Sequence, residues 1–135
     1  MNAPSAGLLD TSVFIAREDG RPLADLPLAS QVSVVTIGEL QLGVLSCADQ
    51  DTRSKRAAAL NLARRLTPVP INEWVMEEWA RLVDACRRDG SSSRAKRMDS
   101  LIAATAIALG VPVVTRDEDF EEMSAAYPAL TVYRV

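Results

Sequence analysis

The segment GLLDTS at residues 7–12 decides the fold, because a short apolar run there ends in an acid followed by two hydroxyl side chains. An apolar run this short, bounded by polar residues, predicts a buried strand. Comparable runs occur at 31–35, 112–115 and 130–133, and helical patterns lie between them. Alternating strands and helices are typical of a parallel sheet covered by helices. The sequence therefore predicts the α/β class, with a mainly parallel central sheet flanked by helices.

The stretches between these strands carry apolar residues at helical spacing. They predict helices at 53–66, 72–89, 95–109 and 118–126, a loop at 46–52, a short edge strand at 68–71 and a flexible connection at 91–93. Asn72 is a suitable N-cap for the second helix, and Gly90 is a suitable stop. No repeat or linker divides the chain, so its 135 residues predict a single domain over 1–135.

The composition excludes several kinds of site. The chain has no histidine, which rules out Ser-His-Asp and Cys-His catalysis and imidazole metal sites. Cys47 and Cys86 lack metal-ligand spacing, so we expect free thiols in a reducing cytoplasm. The N-terminus has no signal-peptide pattern, and the longest apolar stretch, at 101–114, is too short to cross a bilayer. We therefore expect a cytoplasmic protein without a membrane partner.

Several acids follow the predicted strands. Asp10 ends the first strand, Glu39 lies in the first helical turn after the second, and Asp117 and Asp119 follow the strand at 112–115. Ligands of open parallel sheets bind outside the carboxyl ends of the strands. The sequence therefore predicts that these carboxylates meet at one edge of the sheet.

Asp99 comes from a helix instead. It shares a helix face with Ala103 and Ala106, at spacings of four and seven residues. Such small side chains let a helix approach a sheet closely, which would carry Asp99 inward beside the strand ends.

Carboxylates that converge on one point repel each other unless a cation compensates them. A donor set made of oxygen alone favours Mg²⁺ or Mn²⁺ over Zn²⁺. Such a site suits phosphoryl chemistry, in which the metal activates a water and neutralises charge on the phosphate. A protein with a net charge of −3 could therefore still cleave nucleic acid.

Each acid also has a local structural explanation. Glu39 completes a Thr36-x-x-Glu39 capping box, and Asp10 could cap a following helix. Asp117 and Asp119 could be turn residues. The common placement of the acids at one sheet edge carries more weight than any single position.

Four segments together resemble PIN-domain nucleases, and more narrowly the VapC-type toxins of VapBC toxin–antitoxin pairs. They are LDTS at 9–12, TIGELQLGV at 36–44, DSLIAATA at 99–106 and VVTRDEDF at 113–120. The resemblance covers essentially the whole chain and implies a single PIN-like domain that acts as a Mg²⁺-dependent endoribonuclease, with Mn²⁺ as the alternative metal. It also implies a VapB-type antitoxin whose C-terminal segment occupies the active-site groove, and a homodimer.

The resemblance also assigns residues. Its catalytic, metal-binding acids match Asp10, Glu39, Asp99 and Asp117, of which Asp10 and Asp99 are the strongest candidates for direct metal ligands. The side chains implied to support these carboxylates are Thr11, Ser12, Thr115 and Asp119, and Asp119 is also the alternative to Asp117 as the fourth acid. The candidate RNA contacts are Arg94, Lys96, Arg97 and Arg116. Arg116 could instead pair with the acids, and the other three could simply be solvent-exposed residues at the start of a helix.

Other functions remain as alternatives. A haloacid-dehalogenase-like phosphatase needs an acid where Ser12 stands, and a receiver domain needs a lysine beyond Lys96. Nucleotide-binding modules need a glycine-rich loop that the chain lacks. A PIN-fold module that binds metal or protein without turnover stays open, as does a nuclease that acts on DNA.

Overall fold

The computed structural model describes residues 2–90 and 97–135, and for Arg97 the backbone alone. The described chain forms four strands and six helices, in the order β1 (Ala6–Leu9), α1 (Thr11–Glu18), β2 (Ala29–Val32), α2 (Val34–Leu45), α3 (Gln50–Arg64), α4 (Glu73–Arg88), α5 (Arg97–Leu109), β3 (Val113–Thr115), α6 (Asp119–Ala126) and β4 (Val132–Arg134). The strands form one sheet in the order β2-β1-β3-β4, and all three pairings are parallel. The predicted α/β class and parallel sheet are confirmed.

Most predicted elements are present, with shifted ends. The second strand stops at Val32 because Ser33 caps α2, so residues 34 and 35 are helical instead of extended. Residues 50–52, predicted as loop, form the first turn of α3, whose N-cap is Asp49. The predicted edge strand at 68–71 is a single parallel bridge between Val69 and Ser33. The predicted connection at 91–93 lies outside the described residues.

Adjacent strand residues face opposite sides of the sheet and build two cores. Leu8 and Val113 lie in one core, with side chains from α4, α5 and α6. Leu9 and Val114 lie in the other, with side chains from α1, α2 and α3. Helices therefore cover both faces, as expected for buried parallel strands. The polar residues at the carboxyl ends of three strands, Asp10, Ser33 and Thr115, are buried at one edge of the sheet.

Two close approaches fix the centre of the sheet. A Cβ atom on Gly7 would stand 2.6 Å from Cγ2 of Val114, so only glycine fits at this point of β1. Ala103 and Ala106 are fully buried in the core beneath α5, which brings that helix against β1 and β3. The predicted role of the small residues in α5 is thus confirmed, and the first turn of α5, with Asp99, lies beside the strand ends.

None of the helices in the described ranges is long and apolar enough to cross a membrane.

Candidate functional site

Asp10 lies at the carboxyl end of β1 and is 3% exposed. Its Oδ2 accepts hydrogen bonds from the hydroxyls of Ser12, at 2.7 Å, and Thr115, at 2.9 Å. It also caps α1 by accepting from the backbone N–H of Ser12. Burial raises the pKa of the Asp10 carboxyl, and the hydrogen bonds from Ser12 and Thr115 oppose this rise. The structure therefore holds a buried carboxylate in one orientation.

The two hydroxyls that contact Asp10 also tie it to the segment after β3. The Ser12 Oγ accepts from the backbone N–H of Arg116 at 3.0 Å, and the Thr115 Oγ1 accepts from that of Asp117 at 2.9 Å. Each hydroxyl can thus accept from this segment while it donates to Asp10. The position of Asp117 consequently depends on the same hydroxyls that orient Asp10.

Glu39 points from α2 toward Asp10 and is not part of a capping box. Ser33, not Thr36, is the N-cap of α2, so this prediction was wrong. The Glu39 Oε1 instead accepts from the Thr11 hydroxyl at 2.6 Å. Partial burial raises the pKa of the Glu39 carboxyl, the Thr11 hydrogen bond opposes the rise, and the nearby charge of Asp10 adds to it.

Asp99, Asp117 and Asp119 converge at the same edge. One carboxylate oxygen from each lies within 4.8 Å of the others, and all three side chains are partly buried. The Asp117 Oδ1 also accepts from the backbone N–H of Asp119 at 2.9 Å, where α6 begins. Both candidates for the fourth acid therefore stand beside Asp99. Asp10 and Glu39 do not join this group at that distance.

The donor set of this group fits a hard divalent cation. Its atoms are carboxylate oxygens, which Mg²⁺ and Mn²⁺ prefer, and the chain has no histidine to favour zinc. Three carboxylates this close repel one another, and a cation between them would reduce that repulsion. We call Asp99, Asp117 and Asp119 the acidic triad.

The candidate RNA contacts are only partly described. Arg94 and Lys96 lie outside the described residues, as does the side chain of Arg97. The Arg116 guanidinium does not pair with the acids within ion-pair distance; its Nη1 donates to the carbonyl of Pro22 at 2.7 Å.

Two residues near the site were not predicted from the sequence. Thr36 is fully buried, and its hydroxyl contacts that of Thr11 at 3.1 Å, behind Glu39. The Trp79 indole on α4 donates to the hydroxyl of Ser100 at 2.9 Å and so braces the first turn of α5 next to Asp99. In the sequence, Trp79 is marked only by its helical spacing from Val75 and Leu82, which is typical of residues that pack against a core.

Comparison with known protein families shows the family of this chain. Residues 7–126, which contain every acid described above, match the PIN domain. The chain belongs to the PIN domain family. Among curated PIN relatives, it is 57% identical over 100 residues to Ribonuclease VapC8 of Mycobacterium tuberculosis, covering 74% of this chain and 89% of that protein. It is 39% identical over 125 residues to Ribonuclease VapC5 of the same organism, covering 91% of each.

The fold of this PIN domain also matches solved structures. The crystal structure of VapBC-5, a member of the VapBC family of toxin–antitoxin systems from Mycobacterium tuberculosis, superposes with a TM-score of 0.83 and 36% identity. The match covers 98% of this chain and all of that one. The expected single PIN-like domain fold is therefore confirmed.

Proposed function

We propose that this PIN domain is a metal-dependent endoribonuclease that acts as the toxin of a type II toxin–antitoxin pair. The observation that carries the proposal is the acidic triad at the carboxyl edge of the sheet. Asp10 is linked to the triad through the Thr115 hydroxyl, and Glu39 lies near Asp10. The relatives named as ribonucleases, at up to 57% identity, support RNA as the substrate.

We propose Asp99, Asp117 and Asp119 as the residues that hold a Mg²⁺ or Mn²⁺ ion, with Asp10 as a further ligand. A divalent cation held there would activate a water for attack on a phosphodiester and would neutralise charge on the phosphate. Thr115 is central to this site because its hydroxyl contacts Asp10 and accepts from the N–H of Asp117.

Hydroxyl side chains hold the carboxylates of Asp10 and Glu39 in place before substrate binds. Ser12 and Thr115 orient Asp10, and Thr11 orients Glu39. Fixed carboxylates need little rearrangement when a cation and a phosphate arrive, which is the advantage of a preorganised site.

The partners follow from the same family evidence. We propose a VapB-type antitoxin as the inhibitor and a homodimer as the assembly, supported by the similarity to the VapBC-5 complex. We also propose that residues 1–135 act as one domain in the cytoplasm. Two free cysteines are compatible with that reducing compartment.

The test is cleavage of labelled RNA by the purified chain with Mg²⁺, with Mn²⁺ and with EDTA. Asp99→Asn keeps the shape of the side chain and removes its charge, so we expect cleavage to fall at least 100-fold while the melting temperature changes little. Asp51→Asn is the matched control, because Asp51 is exposed on α3 away from the triad.

Full activity of Asp99→Asn would contradict the assignment of the triad. Cleavage of DNA alone would make the protein a DNA nuclease. Mg²⁺ binding by calorimetry, with neither RNA nor DNA cut, would indicate a PIN-fold module that binds without turnover.

A further inference from the structure

Three arginines line one cavity beside the acidic triad. The cavity has a volume of about 530 Å³ and opens next to Asp117 and Asp119. Arg21 enters it from the segment after α1, Arg116 from the segment after β3 and Arg134 from the end of β4. These residues are far apart in sequence, so the fold, not a local run of basic residues, brings them together. We call this space the arginine cavity.

Arg116 is the most firmly placed of the three. Its side chain donates to the carbonyl of Pro22 at 2.7 Å, and its backbone N–H donates to the hydroxyl of Ser12 at 3.0 Å. Both acceptors are neutral, so these contacts orient the guanidinium without cancelling its charge. A guanidinium has five N–H donors, and the bond to Pro22 uses one of them.

The other two arginines have surface ion pairs. The Arg134 Nη1 pairs with Glu121 at 2.8 Å, while its Nη2 donates to the carbonyl of Arg116 at 2.9 Å. Arg21 pairs with Asp19 at 2.8 Å, and both of these side chains are about half exposed. Exposed pairs of this kind contribute little to stability, so breaking them costs little when another anion binds.

The charge of the cavity depends on the triad. Three carboxylates, those of Asp117, Glu118 and Asp119, line it together with the three arginines, so their formal charges cancel. A divalent cation held by the triad would add positive charge at this end of the cavity, and the Asp99 carboxylate offsets part of it. Arg116 forms no ion pair with an acid in the described part of the chain, so its charge favours an anion next to the metal position.

We propose that the arginine cavity binds a backbone phosphodiester of the RNA next to the one that is cut. This inference rests on the proposed function. Arginine suits the task because its planar fork matches the oxygens of a phosphate. The arginine cavity would hold the RNA chain on one side of the acidic triad and so determine which phosphodiester reaches the carboxylates.

The test measures RNA binding by fluorescence anisotropy. The probe is a single-stranded RNA oligonucleotide with a 5′-hydroxyl, bound in Ca²⁺ at several KCl concentrations and checked on a gel to be intact. We expect Arg116→Gln to weaken binding about tenfold and to lower the slope of log Kd against log salt by about 0.7, the value for one phosphate contact on a single strand. Arg116→Lys should retain the slope. Arg88→Gln is the matched control, because Arg88 lies on α4 and pairs with Asp84.

A methylphosphonate scan of the oligonucleotide locates the phosphate. Each internal phosphate is replaced in turn by a neutral methylphosphonate, and the replacement at one position should weaken binding to the wild-type chain. Binding to Arg116→Gln should not be weakened by the replacement at that position. An unchanged salt slope in a folded Arg116→Gln, or the same methylphosphonate profile in both proteins, would overturn the inference. If Arg116→Gln binds the RNA more weakly but the wild-type chain never cuts that RNA in Mg²⁺, the proposed function is rejected and the phosphate site is retained.

Discussion

Replacing Thr115 with valine tests the hydroxyl that joins Asp10 to Asp117. The substitution keeps the shape of a side chain that is fully buried in β3. It removes a hydrogen bond to a carboxylate and leaves the N–H of Asp117 without its acceptor. The first loss is worth about 1.5–3 kcal/mol and the second about 0.5–1.5 kcal/mol. We therefore expect the free energy of unfolding to fall by about 2–4.5 kcal/mol and the melting temperature by roughly 10 °C.

Thr105→Val is the matched control for this substitution. Thr105 is also fully buried, but its hydroxyl donates to the backbone carbonyl of Leu101 within α5 and not to a carboxylate. That carbonyl keeps its helical hydrogen bond when the hydroxyl is removed, so we expect a loss below about 1 kcal/mol.

The assay is urea denaturation in EDTA, for both variants, from acid to neutral pH. The Thr115 hydroxyl stabilises the charged form of Asp10, so its loss should cost most at neutral pH and less once Asp10 is protonated. Equal losses for Thr115→Val and Thr105→Val, or a loss that does not change with pH, would refute this account of the buried network.

Three further outcomes are expected. Gly7→Ala should destabilise the protein by about 1–3 kcal/mol in chemical denaturation, because the new Cβ atom would overlap Val114. Gly38→Ala is the control: Gly38 lies in open space on α2, so this substitution should be neutral or stabilising. Equal effects of the two substitutions would contradict the close packing of β1. Burial raises the pKa of Asp10 in the folded chain, so in EDTA the wild-type chain should lose stability relative to Asp10→Asn as the pH rises from the ordinary carboxyl pKa to the raised one. Within that window the loss is about 1.4 kcal/mol per pH unit. A stability difference that stays constant across pH in denaturation curves would contradict this. Trp79→Phe should cost about 1 kcal/mol and reduce cleavage by displacing the first turn of α5, while Trp74→Phe, at a residue 73% exposed, should change neither the melting temperature nor the rate.

Much of the fold was predictable because its signals are local. Short apolar runs with helical patterns between them identified the parallel sheet, and Asn72 correctly marked the start of α4. Element ends were less predictable where two residues could cap the same helix. Ser33 and Thr36 are both suitable N-caps by type, and the bridge between Ser33 and Val69 favours the earlier one.

The convergence of the acids at one sheet edge was predictable from the sequence, but which of them lie closest together was not. The family resemblance favoured Asp10 and Asp99 as direct metal ligands, whereas the structure groups Asp99 with Asp117 and Asp119 and encloses Asp10 among hydroxyls. Which carboxylates come together depends on where the chain turns after β3. Arg21 and Arg134 likewise reach the cavity only because β1, β3 and β4 are neighbours in the sheet.

The strand order has a consequence for synthesis of the chain. β1 is made before the other strands, but its second partner in the sheet, β3, begins only at Val113, more than 100 residues after the end of β1. Two members of the acidic triad, Asp117 and Asp119, follow β3 directly. A growing chain, or one truncated before this point, therefore contains Asp10, Glu39 and Asp99 without the triad. The three carboxylates of the acidic triad therefore come together only after the chain has been made past Asp119, and a fragment that ends earlier lacks this cluster.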